Sequence, residues 1–142
     1  MNLLGRISRI VAANINHLLE KTEDPDRLLE GMTREMEESV TELRRETVRA
    51  VARRRQLEKD ILSAGILIEE LEEEAMRALT KQDEPLAREL IRRKLRVRKS
   101  YGDLQDELST TSQVVVKLRS ELTRLQSCLL EAKRGQEPVK RM

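Results

Sequence analysis

The chain has 142 residues, 38% charged and 38% hydrophobic, with one Tyr as its sole aromatic, five Gly, three Pro and a net charge of +2. Compact cores are normally dominated by large aromatics, and loop-rich β folds need more Gly and Pro. β-sandwiches, barrels and Rossmann-like α/β folds are therefore excluded, and an all-α chain of long helices is expected. The charge balance is not that of a polycation, so nucleic acid is not an expected partner. Lone Cys128 cannot close a disulfide within the chain and fits a reducing compartment.

Residues 1–21 form the first periodic segment. Leu3, Leu4, Ile7, Ile10, Val11, Ile15, Leu18 and Leu19 fall on one helical face, with Arg6, Arg9, Asn16 and Glu20 towards the other. Arg6, Arg9 and Lys21 against Glu20 make this segment +2, the whole net charge of the chain. Arg6, Arg9, Asn14 and Asn16 interrupt any continuous apolar run, so a signal peptide is not expected. A basic amphipathic helix either lies in a bilayer interface or packs on protein. The membrane-facing residues on the first reading are Leu3, Leu4, Arg6, Ile7, Arg9, Ile10, Val11, Ile15 and Leu18.

Thr22-Glu23-Asp24-Pro25 reads as a break and a helix start. Asp24 can cap, and Pro25 fits the first helical position, where no N–H is needed. A first hairpin helix is predicted over 25–80. Its seam runs in steps of seven from Leu29 through Met36, Leu43, Ala50, Leu57, Ala64 and Leu71 to Ala78, with companions from Thr33 through Val40, Thr47, Arg54, Ile61 and Ile68 to Ala75. Residues 81–84 form a predicted tip, with Asp83 as the next cap. A second hairpin helix is predicted over 85–134, its seam running from Leu90 through Leu104 and Leu118 to Ala132. Gly135 and Pro138 then suggest an end, leaving a basic tail over 135–142.

A 4-3 apolar spacing held this long specifies a coiled-coil seam. The short tip folds the second helix back on the first, so facing residues have numbers adding to about 166 in an antiparallel pair. On that register Glu69, Glu70, Glu72, Glu73 and Glu74 face Arg92, Arg93, Lys94, Arg96 and Arg98. Glu35, Glu37 and Glu38 lie opposite Lys133 and Arg134, and Gly65 falls opposite Tyr101. The fold class is all-α: an N-terminal amphipathic helix followed by a long antiparallel coiled-coil helical hairpin. Leu28, Met32, Val48, Val51, Leu62, Leu67, Leu86, Ile91, Val114 and Val116 fall outside the two-stranded seam. They are the candidate self-assembly residues, since exposed apolar strips mark interaction surfaces.

Residues 12–38, AANINHLLEKTEDPDRLLEGMTREMEE, resemble the start of phage shock protein A and of vesicle-inducing protein in plastids, the bacterial branch of the ESCRT-III superfamily. The Asn14-Ile15-Asn16, Leu18-Leu19-Glu20-Lys21 and Glu23-Asp24-Pro25 runs carry the likeness, joined at the tip by Glu84-Pro85-Leu86-Ala87-Arg88. The resemblance implies a cytoplasmic protein peripherally associated with the inner membrane, acting in envelope stress. Its implied partners are anionic membrane lipids, further copies of itself in filaments or rings, and an AAA+ transcription activator that it silences. Members of the family usually continue into further helices that lock neighbouring subunits. This chain stops within what resembles the third helix.

Other chemistry is poorly supported. His17 is the only histidine, which leaves no imidazole cluster. Cys128 sits beside the seam and reads as packing, as do Met32, Met36 and Met76. No glycine-rich phosphate loop occurs. No catalytic residue, metal or cofactor is expected, and the chain reads as a non-enzyme. Two function classes remain. One is a membrane-associated, polymer-forming protein that protects or remodels the membrane. The other is a soluble coiled-coil regulator that binds and inhibits an AAA+ transcription activator.

Overall fold

The computed structural model describes Gly5, Arg6, Arg9 and residues 15–140, with side chains over 17–134 of the latter. Gly5, Arg6 and Arg9 are helical. Three further helices follow: α1 (Ile15–Lys21), α2 (Pro25–Thr80) and α3 (Glu84–Lys140). Among the described residues there is no strand. The fold is an antiparallel helical hairpin of α2 and α3 preceded by short helical pieces.

Local chemistry sets the breaks. Asp24 caps α2, its Oδ1 accepting from the Arg27 N–H at 3.2 Å, with Pro25 as the first helical residue. Asp83 caps α3 in the same way, accepting from the Leu86 N–H at 3.2 Å. Three residues, Lys81 to Asp83, link the two helices. Gln82 takes a left-handed φ of 58°. Its N–H donates to the Leu79 carbonyl at 3.0 Å, and the Asp83 N–H donates to the Ala78 carbonyl at 2.9 Å. That pair of bonds is a Schellman motif, which satisfies the last carbonyls of α2 and reverses the chain. Asp83 thus ends one helix and caps the next.

The C-terminal boundary differs from the sequence expectation. α3 runs through Gly135 and Pro138 to Lys140, whereas the sequence suggested an end at Arg134 and a basic tail beyond it. Gly costs about 1 kcal/mol in a helix, and a proline close to the end removes only one hydrogen bond. Neither forces termination.

The chain comprises two compact units, Met1–Arg49 with Val115–Met142, and Ala50–Val114. In the first, Leu29, Met36, Val40 and Leu43 of α2 are buried, as are Val115, Leu118, Leu125 and Ala132 of α3. Thr33 is a buried polar seam residue whose hydroxyl donates to the Leu29 carbonyl at 2.8 Å. That bond removes the cost of burying the hydroxyl without a partner. Glu37 pairs with Lys133 at 3.2 Å.

In the second unit, Leu57 is fully buried, and Leu71, Ala75, Ala78, Ala87 and Leu90 form one core cluster against which Leu67 and Val97 pack. Three alanines in that cluster leave little side chain between the helices. Lys94, a polar residue at a seam position, directs its ammonium to Glu72, and Arg53 reaches Glu107. Gly65 lies beside Tyr101, as the register of about 166 requires. A Cβ there would meet the ring at 3.7 Å, ordinary contact, so the aromatic does not depend on the missing side chain.

The expected match of acidic and basic runs is realised mainly through Lys94 and Glu72, with Arg98 acting on Glu72 at longer range. Arg92 and Arg96 pair within α3 to Glu89. Short-range pairs along one helix compete on equal terms with pairs across the hairpin, since each is worth only about 0–1 kcal/mol when exposed.

Candidate membrane and assembly surfaces

The N-terminal segment is tied to α2 by charge. The Arg6 guanidinium donates to Glu42 at 2.6 Å, and Arg9 lies 3.8 Å from Glu35. As the chain advances from Arg6 to Arg9, its partners retreat along α2 from Glu42 to Glu35. From Arg6 to Arg9 the chain therefore runs antiparallel to α2. Glu35 and Glu42 are one heptad apart and share a face. Ser39, between them on that flank, is buried although it lies outside the hairpin seam. The contact is weak by its own geometry. All four side chains are 41% to 63% exposed, and Arg6 Nε is buried without a hydrogen-bond partner, which carries a desolvation cost.

Of the residues expected to face a membrane, Arg6 and Arg9 are thus engaged with α2. Leu3, Leu4, Ile7, Ile10 and Val11 lie outside the described residues, as does the side chain of Ile15. Leu18 is 40% exposed. The sequence reading left bilayer and protein as alternatives for the amphipathic segment. It did not identify Glu35 and Glu42 of α2 as the groups that receive Arg9 and Arg6.

The candidate assembly residues divide. Val48, Leu62, Leu86, Ile91, Val114 and Val116 are exposed, while Leu28, Met32 and Val51 are half-buried. Leu67 belongs to the core of the second unit and is not free for another partner. Sequence reasoning passed over Ile66, Met76, Leu79, Leu95 and Leu130, all more than half exposed. Met76 was expected to fill the core and is instead 69% exposed. It follows seam residue Ala75 by one position, and one step along a helix turns a side chain about 100° away.

Among the described residues no group of His, Cys, Asp and Glu could hold a metal ion. Burial, followed by the nearby Glu131, pushes the Cys128 thiol up, which keeps it protonated at neutral pH and unsuited to nucleophilic attack. Ser63, Ala64, Leu67, Arg93, Arg96, Val97 and Ser100 line an open groove rather than an enclosed cavity. No described helix is long and apolar enough to cross a membrane.

The chain is 36% identical over 140 residues to the membrane-associated protein Vipp1 of Nostoc punctiforme, covering 99% of this chain and 54% of that protein. It is 35% identical over 143 residues to the chloroplastic membrane-associated protein VIPP1 of rice, covering 98% and 44%. It is 32% identical over 131 residues to a phage shock protein A homolog of Deinococcus radiodurans, covering 89% and 57%. The chain spans about half the length of the curated relatives it matches. The family model for PspA/IM30 matches residues 2–141, so the chain belongs to the PspA/IM30 family.

Proposed function

We propose that this chain is a peripheral membrane protein that self-assembles through staggered hairpins and protects or remodels the cytoplasmic face of the inner membrane under envelope stress. Family membership with relatives named for membrane association is the observation that carries the reading. Leu3, Leu4, Ile7, Ile10, Val11, Ile15 and Leu18 supply the apolar face for the lipid interface. Arg6 and Arg9 supply about 1 kcal/mol each of attraction to an anionic surface. In the free chain those two arginines are paired with Glu42 and Glu35. Lipid phosphates compete for the same guanidinium groups, so binding exchanges two weak contacts for lipid contacts and insertion. Single-copy affinity is modest, and many copies joined through exposed residues such as Val48, Leu86, Ile91, Val114 and Val116 raise it by avidity.

The docked N-terminal segment also favours a second reading: a soluble coiled-coil regulator that binds and inhibits an AAA+ transcription activator, with the first helix folded away. Flotation with anionic vesicles, using the whole chain and a chain lacking residues 1–21, separates the two. Flotation of the whole chain alone supports the membrane reading. Failure of both to float overturns it.

A further inference from the structure

The outer side of α2 in the second unit carries a second 3-4 stripe, turned away from α3. Arg55, Lys59, Leu62, Ile66, Glu69 and Glu73 follow one another along it, and all six are exposed. Leu62 is 67% and Ile66 51% exposed. The order is two cations, two aliphatics, two anions. Arg55 and Lys59 are like charges four residues apart, and so are Glu69 and Glu73, an arrangement that repels along an isolated helix. None of the four takes part in an ion pair among the described residues.

Turned end for end, the stripe matches itself. Arg55 meets Glu73, Lys59 meets Glu69 and Leu62 meets Ile66, with residue numbers that add to 128 in every case. One step further out, exposed Ala52 meets exposed Met76 on the same sum. We propose that this face of α2 is a two-fold antiparallel contact between two copies of the chain, centred near Ala64. The occupant is a second copy because the charge order complements its own reverse. Each ion pair then occurs twice, and the apolar centre is closed at both ends by charge. Such a contact is isologous and closes on itself. It differs from the open lateral stacking proposed above and goes beyond it.

Glu58 and Glu72, which would flank the axis as like charges, are already paired within the chain to Arg54 and Lys94.

Spin-label distances in the full chain, with Cys128→Ser and a single cysteine at Gln56, Ser63 or Glu70, test the geometry. At 1.5 Å rise per residue, the axial offsets between equivalent labels are about 24, 3 and 18 Å for these three positions. The minimum at Ser63 is the signature expected. Parallel stacking gives one common offset at all three positions and overturns the proposal. Sedimentation adds a charge test. Lys59→Glu raises the dimer dissociation constant about tenfold, because two attractions become repulsions, and Lys59→Glu with Glu69→Lys restores it. Equal association of the single and double variants, or a wild-type monomer at high micromolar concentration, overturns the proposal. A parent chain that floats with anionic vesicles while the single and double variants associate equally fails this contact alone and leaves membrane binding standing, which separates the two.

Discussion

Arg6 donates to Glu42 at 2.6 Å across 36 positions of sequence. This bond places a residue expected to meet lipid phosphate against a carboxylate of the same chain. Arg9 repeats the arrangement with Glu35, more loosely, at 3.8 Å. Two half-exposed ion pairs contribute about 0–1 kcal/mol each. The segment is therefore held by a contact that a multiply charged surface can outcompete.

Removing the acceptors should favour the membrane. Glu35→Gln with Glu42→Gln frees both guanidinium groups, and the partition coefficient on anionic vesicles should rise about fivefold for roughly 1 kcal/mol of lost docking. Flotation measures it. No increase, or a decrease, would show that docking does not oppose lipid binding.

The apolar face of residues 1–21 should be indispensable. Ile7→Glu or Ile10→Glu should abolish vesicle binding and leave far-ultraviolet circular dichroism unchanged, because the buried hairpin core is built from residues between Leu29 and Ala132. Arg6→Glu with Arg9→Glu should weaken binding on anionic vesicles in particular, and added salt should imitate the effect. If Ile7→Glu binds as the parent does, the regulator reading becomes the better one.

Gln82 sits at φ 58° in the tip, a conformation that glycine adopts without a Cβ penalty. Gln82→Gly should therefore stabilise the hairpin by up to about 1 kcal/mol, raising the thermal midpoint by several degrees. A lowered midpoint would mean that the Gln side chain contributes more than its backbone conformation costs.

Seam and outer face should respond differently to truncation. Leu43 and Leu57 are fully buried, and Leu→Ala at either should cost about 2–5 kcal/mol. Leu62→Ala, at a 67% exposed position, should leave monomer stability nearly unchanged while weakening self-association. Denaturant melts and sedimentation on the same variants provide the comparison.

Acid should loosen the tip half. The hydrogen bond from Lys94, then its charge, holds the Glu72 carboxyl below the ordinary carboxylate value. A depressed folded value gives stability that is present above the unfolded value and lost as pH falls through the folded one. The contribution is small at so exposed a group. Thermal midpoints of the parent and of Glu72→Gln should differ at neutral pH and converge below the carboxylate range. A constant difference at all pH values would assign the effect of the substitution to something other than charge.

Much of the architecture is legible in the sequence because its causes are local or periodic. Asp24 with Pro25, and Asp83 ahead of Pro85, mark two helix starts by capping chemistry that acts within three residues. The 4-3 spacing from Leu29 to Ala78 names a seam, and a short tip leaves the second helix only one place to pack. Tertiary structure decided the rest, where several choices lay close in energy. Arg92 and Arg96 could have crossed the hairpin and instead found Glu89 on their own helix. Leu67 joined the core of the tip half, whereas Met76, one step from the seam, turned outward. Arg6 and Arg9 had lipid and protein carboxylate as competing partners. Each exposed ion pair is worth so little that the folding of the chain back along α2, rather than any pattern along the sequence, brings Glu42 and Glu35 within their reach.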